Sequence, residues 1–454
     1  MRAIPTLKIS ISGVRGVVGE SLTPTLLTRF TQAFGTFVGP GTIVIGRDTR
    51  TSGEMVRQAV VAGLLSSGCR VLDLDVCPVP TVQLLVRGRA ARGGIAITAS
   101  HNPAEWNALK FINSSGLFLA GAQARQLLDI YHQGEYVKVR GPEMRTVERE
   151  SGALDVHIKA VLDALGPLPS GARKLKVVVD SCNGAGSVVA PRLLDALGAE
   201  VFAINATPDG KFPRGAEPVP ENLGALCEAV RSTGADVGFA QDMDADRLAV
   251  VDERGEPLGE EYTLVLAARQ VLSKGRGAVV ANLATTSVLD AVAREFGSPI
   301  YRSKIGEANV TEEMRRVGAI VGGEGNGGVI YPRINFARDS LVGMALVLHL
   351  LADTGRTVSE LTAELPRSHM VKEKLACRSD RIERVLKAVR AAYADKPQDL
   401  RDGVKVSTAS GWFLVRGSNT EPIVRLVAEA ETEEVARALV EELRAIVGEC
   451  VGVK

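Results

Sequence analysis

The sequence predicts an α/β protein: three tandem mixed-sheet α/β domains, then a C-terminal α+β domain, arranged around a central cleft. Two observations carry that expectation. A strand–turn–helix–strand unit occurs three times, and the last segment of the chain breaks the pattern. A chain of 454 residues is also too long for a single hydrophobic core and implies about three to four domains.

In the first unit, Thr42-Ile43-Val44-Ile45-Gly46 runs into a polar turn, a helical stretch through Leu64, then Gly68-Cys69-Arg70-Val71-Leu72. The second starts at Leu175-Lys176-Val177-Val178-Val179-Asp180, turns at Asn183-Gly184-Ala185-Gly186, continues as a helix through Leu197, and ends on Gly198-Ala199-Glu200-Val201-Phe202. The third starts at Ala278-Val279-Val280-Ala281, turns at Thr285-Thr286-Ser287, continues as a helix through Phe296, and ends on Gly297-Ser298-Pro299-Ile300. Each has short apolar strands of buried type and a glycine after the helix. Three such units argue for three α/β domains. The last segment reads as a helix over Ile382–Ala394, short strands around Arg416, and a helix from a Thr432 N-cap to Val447 with Gly448 as its stop. The expected domains are 1–152, 153–254, 255–367 and 368–454. A site shared by four domains belongs in the cleft between them.

The formal net charge is +1, which argues against a general nucleic-acid binder and against a basic membrane surface. The six cysteines show no C-x-x-C spacing, so neither a zinc site nor a disulfide framework is indicated, and reduced cytoplasmic thiols are the default. No signal-peptide apolar stretch follows Met1-Arg2-Ala3-Ile4-Pro5. The apolar run Leu341–Ala352 contains His349, is too short to span a bilayer, and reads as a buried helix.

Four loops carry chemistry. Thr98-Ala99-Ser100-His101-Asn102-Pro103 follows the strand-like Gly94-Ile95-Ala96-Ile97, with Asn107 and Lys110 beyond it. Ser100 therefore sits where a strand ends and a loop begins. Asp242-Met243-Asp244-Ala245-Asp246-Arg247 lies between two strand-like runs. Three carboxylates this close repel unless a cation sits among them, and oxygen-only ligands favour Mg²⁺. The bland reading is a solvated acidic turn. A calcium loop of the EF-hand type needs a glycine where Arg247 stands. Gly322-Gly323-Glu324-Gly325-Asn326-Gly327-Gly328 places a carboxylate and an amide among five glycines, chemistry suited to sugar hydroxyls, or else a flexible linker. Arg416-Gly417-Ser418-Asn419-Thr420-Glu421-Pro422, with Arg425 beyond, is either an anion receptor or an ordinary hairpin turn.

Taken together and in this order, these loops resemble the α-D-phosphohexomutase superfamily across nearly the whole chain. Ser12-Gly13-Val14-Arg15-Gly16 is similar to that family's N-terminal active-site stretch. The resemblance implies phosphoserine at Ser100 and Mg²⁺ held by Asp242, Asp244, Asp246 and the Ser100 phosphate. It implies reversible exchange of phosphate between C1 and C6 of a hexose through a 1,6-bisphosphate, which also serves as activator. Arg15 and Arg247 would steady phosphoryl oxygens, and His101 and Lys110 would move protons. Glu324 and Asn326 would hold the sugar. Arg416, Ser418, Asn419, Thr420 and Arg425 would hold the non-reacting phosphate. The other histidines, His132, His157, His349 and His369, are expected to be structural. Many relatives carry Ser and His where this chain has Asn326 and Gly328, which places more of the proton transfer on Lys110 and His101, or leaves it to water. The Glu-x-Asn-Gly-Gly form resembles that of archaeal-type phosphoglucosamine mutases and of some dual-specificity members, a resemblance that implies glucosamine phosphate ahead of mannose or glucose phosphate. The competing readings are a hydrolase with an aspartyl nucleophile and a non-catalytic sugar-phosphate-binding protein. The expected partner is a sugar phosphate, with no nucleic acid and no membrane, and the protein is expected to be a cytoplasmic monomer or homodimer.

Overall fold

The computed structural model describes residues 6–10, 13–169, 173–418 and 422–451. Each repeat forms its own sheet. In the first, Thr42–Arg47 pairs in parallel with Arg70–Val76 on one side and with Gly93–Ile97 on the other. Trp106–Asn113 then adds antiparallel to Gly93–Ile97. The second sheet repeats that order: Glu200–Ile204, Lys176–Asp180 and Val237–Gln241 are parallel, and Leu248–Val251 closes antiparallel. The third does so again with Ile300–Ser303, Val279–Asn282, Val321–Glu324 and the antiparallel Gly328–Ile330. The first sheet is extended at its edges by Lys8–Ser10 and Gly13–Val17 on one side and Val147–Arg149 on the other. The fourth sheet is wholly antiparallel, with five strands, as an α+β domain requires.

The repeat therefore extends further than strand–helix–strand. In all three sheets a parallel strand is followed by a short loop and an antiparallel neighbour. Those three loops are 98–105, 242–247 and 325–327, the places of the serine, the carboxylates and the glycine-rich run.

The second and third repeats share one continuous core. Its centre is the helix Ser340–Thr354, in which every residue from Ser340 to Leu351 is buried. A helix apolar on all sides needs protein on all sides, and this one packs on helices Glu261–Lys274, Ala153–Leu165 and Ala190–Leu197. Two expectations at the C-terminus need correction. The helix expected from Ile382 begins at Ser379. The last helix does not stop at Gly448 but runs Glu433–Val451. Val447 and Cys450 lie in the domain core, and their burial outweighs the roughly 1 kcal/mol cost of an interior glycine. Thr432 does cap that helix, accepting from Val435 N at 3.4 Å.

The fourth domain docks on the third chiefly through polar groups. Glu429 accepts from Trp412 Nε1, Thr286 Oγ1, Ser368 Oγ, and both N and Oγ of Ser287. Lys405 Nζ donates to Leu283 O at 2.7 Å and lies 3.6 Å from the Trp412 ring centroid. Burial, followed by the charge of Arg302, pushes the Lys405 ammonium down to about 7. The folded chain then releases a proton that the unfolded chain keeps until about pH 10.4. Stability contributed by this group therefore rises as pH increases between those two values. Melting temperatures of wild type and Lys405→Met at pH 7, 8 and 9 should converge or cross in that sense, the wild type gaining on the variant as pH rises. A constant gap would show that Lys405 keeps its proton.

Candidate active site

Three loops from three repeats meet at one point. Ser100 lies at the C-terminal end of the Gly93–Ile97 strand with φ +49°, a left-handed conformation uncommon for a residue with a Cβ. Its N–H is held by Thr98 Oγ1 at 3.0 Å, and its Oγ donates to Asp242 Oδ2 at 3.0 Å. Thr98 Oγ1 donates onward to Asp244 Oδ2 at 3.2 Å. Lys110, on the antiparallel strand that follows, donates to the same Asp244 oxygen at 2.7 Å.

The carboxylate loop is fixed from both sides. Ala245 takes φ +56°, and its carbonyl accepts from Ser340 Oγ at 2.6 Å. Val79 N donates to Asp244 O at 3.1 Å. Asp242, Asp244 and Asp246 are all buried, and one oxygen of each lies within 4.8 Å of the others. The sequence suggests that only a cation could hold them together; the structure also shows resident counter-charges. Lys110 takes Asp244, and Arg338 Nη2 takes Asp246 Oδ2 at 2.6 Å. Burial and the charges of Asp244 and Asp246 leave Asp242 well above the usual carboxylate range. Burial also raises Asp244, but the Lys110 charge and hydrogen bond outweigh it and hold that carboxyl below its usual value.

Asp244 Oδ1 and Asp246 Oδ1 are buried and have no hydrogen-bond partner. An unpartnered buried anionic oxygen is costly. Two of them beside a third carboxylate and a serine hydroxyl form a hard, all-oxygen donor set that fits Mg²⁺.

Arg247 lies above this set, 3.8 Å from Asp246 and 4.0 Å from Asp242. Its Nη2 is 3.4 Å from His101 Nδ1. Arg15 Nη1 reaches Asn102 Oδ1 at 3.3 Å, and Glu217 sits 3.6 Å from His101 Nε2. Burial, then the charges of Arg247 and Arg15, hold the His101 imidazole well below its usual pKa. Of the remaining histidines, His157 joins Thr81 and Asp339 at 2.8 Å each in a buried bridge between repeats, and His349 meets Gly166 O.

The glycine-rich loop abuts the carboxylate loop directly. Leu248 N donates to Gly327 O at 3.0 Å, and a Cβ at Gly327, where φ is +86°, would meet Leu248 O at 2.2 Å. Glu324 ends its strand with three hydrogen bonds: Oε1 accepts from Asn282 Nδ2 and Gly306 N, both at 2.8 Å, and Oε2 from Arg338 Nη1 at 2.9 Å. Asn326 is half-buried with Oδ1 3.5 Å from Arg338. In the fourth domain Arg416 and Arg425 are register partners on neighbouring strands, and Arg416 Nε stands 3.4 Å from Asp402. Ser418 N bonds to Ile423 O. Asn419 and Thr420 lie outside the described residues, as does Ser12.

Sequence reasoning missed two arginines. Arg338 has been introduced. Arg50 is the largest side chain among those fully buried. Its guanidinium donates to Ser100 O and Asn102 O at 2.7 Å, Pro103 O at 2.5 Å, Trp106 O at 3.0 Å, Asp48 Oδ2 at 3.0 Å and Met243 Sδ at 3.1 Å. It ties the serine loop to itself and to the carboxylate loop. The turn Gly46-Arg47-Asp48-Thr49-Arg50 looked only polar, and nothing in its spacing points fifty residues ahead.

Models of the phosphoglucomutase/phosphomannomutase family match in order: α/β/α domain I at 7–138, domain II at 155–255, domain III at 259–369 and the C-terminal domain at 371–446. A probable phosphoglucosamine mutase of Methanopyrus kandleri is 41% identical over 446 residues, 97% of each chain. A phosphoglucomutase/phosphomannomutase of Thermococcus kodakarensis is 38% identical over 94% of this chain and 96% of its own. The crystal structure of a phosphoglucomutase/phosphomannomutase family protein from Burkholderia thailandensis superposes with a TM-score of 0.86 at 27% identity, covering 99% of this chain and 98% of that one. The chain belongs to the phosphoglucomutase/phosphomannomutase family and is a phosphohexomutase.

Two variants test the geometry. Asp244→Asn should weaken Mn²⁺ binding, read by electron paramagnetic resonance, by about tenfold or more, because a carboxylate is replaced by a neutral amide. It should also lower the melting temperature of the metal-free protein, since Lys110 loses its anion. Arg50→Lys keeps the charge but not the planar fork. It should lower kcat by at least about tenfold, with a smaller change in KM, because the carbonyls that fix Ser100 lose their shared donor. Turnover within twofold of wild type would show that the loop holds itself.

Proposed function

We propose that this phosphohexomutase interconverts glucosamine 6-phosphate and glucosamine 1-phosphate through phosphoserine at Ser100. The observation that carries the mechanism is Ser100 Oγ, held 3.0 Å from Asp242 in a strained backbone conformation, beside two unpartnered buried carboxylate oxygens. A hydrolase acting through an aspartyl nucleophile leaves that serine without a task. The relatives named phosphoglucosamine mutase, together with the Glu324-Gly325-Asn326-Gly327-Gly328 loop, support glucosamine as the sugar.

In this reading the phosphoserine P–O bond breaks and a new P–O bond forms to the free sugar hydroxyl, whose proton passes to Ser100 Oγ. The reverse transfer takes the other phosphate from the 1,6-bisphosphate, which also primes unphosphorylated enzyme. Mg²⁺ held by Asp242, Asp244, Asp246 and the Ser100 phosphate would offset charge on the phosphoryl oxygens. Arg15 and Arg247 would steady the same oxygens. His101 and Lys110, the latter anchored on Asp244, are the groups that carry the proton between the sugar hydroxyl and Ser100 Oγ. Glu324 has one acceptor position left after three hydrogen bonds, which suits a sugar hydroxyl. Arg416, Ser418, Asn419, Thr420 and Arg425 hold the phosphate that does not react. The same reading takes the domain limits at 152, 254 and 367.

Phosphorus NMR of the enzyme with each hexose 6-phosphate and its 1,6-bisphosphate tests both parts. Glucosamine phosphate should turn over fastest, and Ser100→Ala should lose activity by several orders of magnitude, roughly the contribution of a covalent carrier. Faster turnover of mannose or glucose phosphate would reassign the sugar. Full activity in Ser100→Ala would end the mechanism.

A further inference from the structure

Arg338 is a single guanidinium set among three buried carboxylates. Nη2 donates to Asp246 Oδ2 at 2.6 Å, Nη1 to Glu324 Oε2 at 2.9 Å and Nε to Glu307 Oε2 at 3.0 Å. Asp246 belongs to the carboxylate loop and Glu324 to the glycine-rich loop. Glu307 continues the chain of contacts into the first repeat, where it accepts from Gln83 Nε2 at 3.0 Å. The arginine's backbone is fixed by its neighbours: Asp339 caps the central helix and bonds to His157, and Ser340 bonds to Ala245 O and Gln241.

Gly328 makes room for it. A Cβ at position 328 would lie 2.3 Å from Arg338 Cδ and 2.8 Å from its Cγ. A side chain at 328 and the Arg338 side chain therefore exclude each other. The glycine that ends the loop is the condition for a cation to enter between the two loops.

We infer that Arg338 is a positioning residue that divides one positive charge between the metal-loop carboxylate Asp246 and the sugar-loop carboxylate Glu324, so that each loop's ligand affinity depends on the other loop. The inference rests on reading 242–246 as the metal loop and 323–328 as the sugar loop. It goes beyond that reading by making the two interdependent through one side chain. Arg338 takes Asp246 Oδ2 and leaves Oδ1 without a hydrogen bond, with Arg247 Nε 3.8 Å away, and it competes with a cation for the charge on that carboxylate. On Glu324 it takes one oxygen and fixes the plane of the other.

The charge arithmetic gives an uncommon signature. Arg338→Gln removes a positive charge next to a metal ligand, so Mn²⁺ should bind more tightly. The same change frees Glu324, so the KM for hexose 6-phosphate should rise. Glu324→Gln leaves Arg338 with one carboxylate fewer, drawing it toward Asp246. Mn²⁺ should then bind more weakly, although Glu324 touches no metal. Each shift is expected at about fivefold or more, the lower range of measured coupling between sites.

The experiment measures Mn²⁺ dissociation constants by electron paramagnetic resonance and KM by coupled assay, with melting curves for each protein. Wild type, Arg338→Gln and Glu324→Gln are compared. A side chain that merely fills space would weaken Mn²⁺ and substrate together as the fold loosens. That outcome, or a Mn²⁺ constant within twofold of wild type in Glu324→Gln, overturns the inference. If Arg338→Gln does not fold, the Glu324→Gln constant alone decides. A wild type that binds no Mn²⁺ would instead overturn the metal-loop reading, which keeps the two failures distinct.

Discussion

Three carboxylates buried at 242, 244 and 246 set the terms for everything around them. Buried charge of one sign is tolerated only when paired or when it binds a cation, and each neighbour in the site answers part of that demand. Lys110 comes from the first repeat and Arg338 from the third, while Arg247 follows the triad itself. Two oxygens are still left over. That residue of unsatisfied charge is the site's capacity to bind. It exists because the surrounding protein compensates most of the triad and stops short of all of it. Removing any one of the three basic groups would change both what the loop can hold and whether it keeps its shape.

The convergence follows from topology. Each α/β repeat ends its parallel strands with a loop leading to an antiparallel neighbour. The serine, the carboxylates and the glycine-rich run occupy that same loop in successive repeats. One structural solution, used three times, brings a serine, three carboxylates and a glycine-rich run to equivalent positions. The buried helix Ser340–Thr354 then locks the second and third together: its N-terminal Ser340 bonds to the carboxylate loop, and its cap Asp339 bonds to His157. The strand ends are rigid, so the loops can carry strain, as the left-handed Ser100 and Ala245 show.

Much of this was legible in the sequence, for identifiable reasons. The strand–helix–strand repeats show in hydrophobic runs bounded by glycine, because buried parallel strands are apolar on both faces. Ser100, Lys110 and the three aspartates stand out because their chemistry is local. What the sequence conceals is contact across repeats. Arg50 and Arg338 act on residues about 50 and 92 positions away, and each sits in an unremarkable polar stretch. Glu324 reads as an open sugar ligand, yet three donors already hold it. Gly448 reads as a helix stop because local propensity favours one. Packing of Val447 and Cys450 against the sheet decides otherwise.

The fourth domain is joined to the rest by a different kind of interface, and the difference has a mechanical meaning. The second and third repeats share an apolar core, so separating them would expose a large hydrophobic area to water. Between the third and fourth, the shared apolar patch is small, centred on Leu283, Trp412, Leu414 and Val427. The rest is the Glu429 cluster, Lys405 on Leu283 O, Lys372 on Glu261 at 2.9 Å and Asp402 on Ile305 N at 3.0 Å. Polar pairs of this kind exchange with water at little net cost, so relative motion costs less here than between the second and third repeats. It is also the domain that carries Arg416 and Arg425. In the mechanism proposed above, a bisphosphate turning around between two phosphoryl transfers would have one end held by these two guanidiniums, at the edge of the polar junction where Asp402 meets both Ile305 N and Arg416.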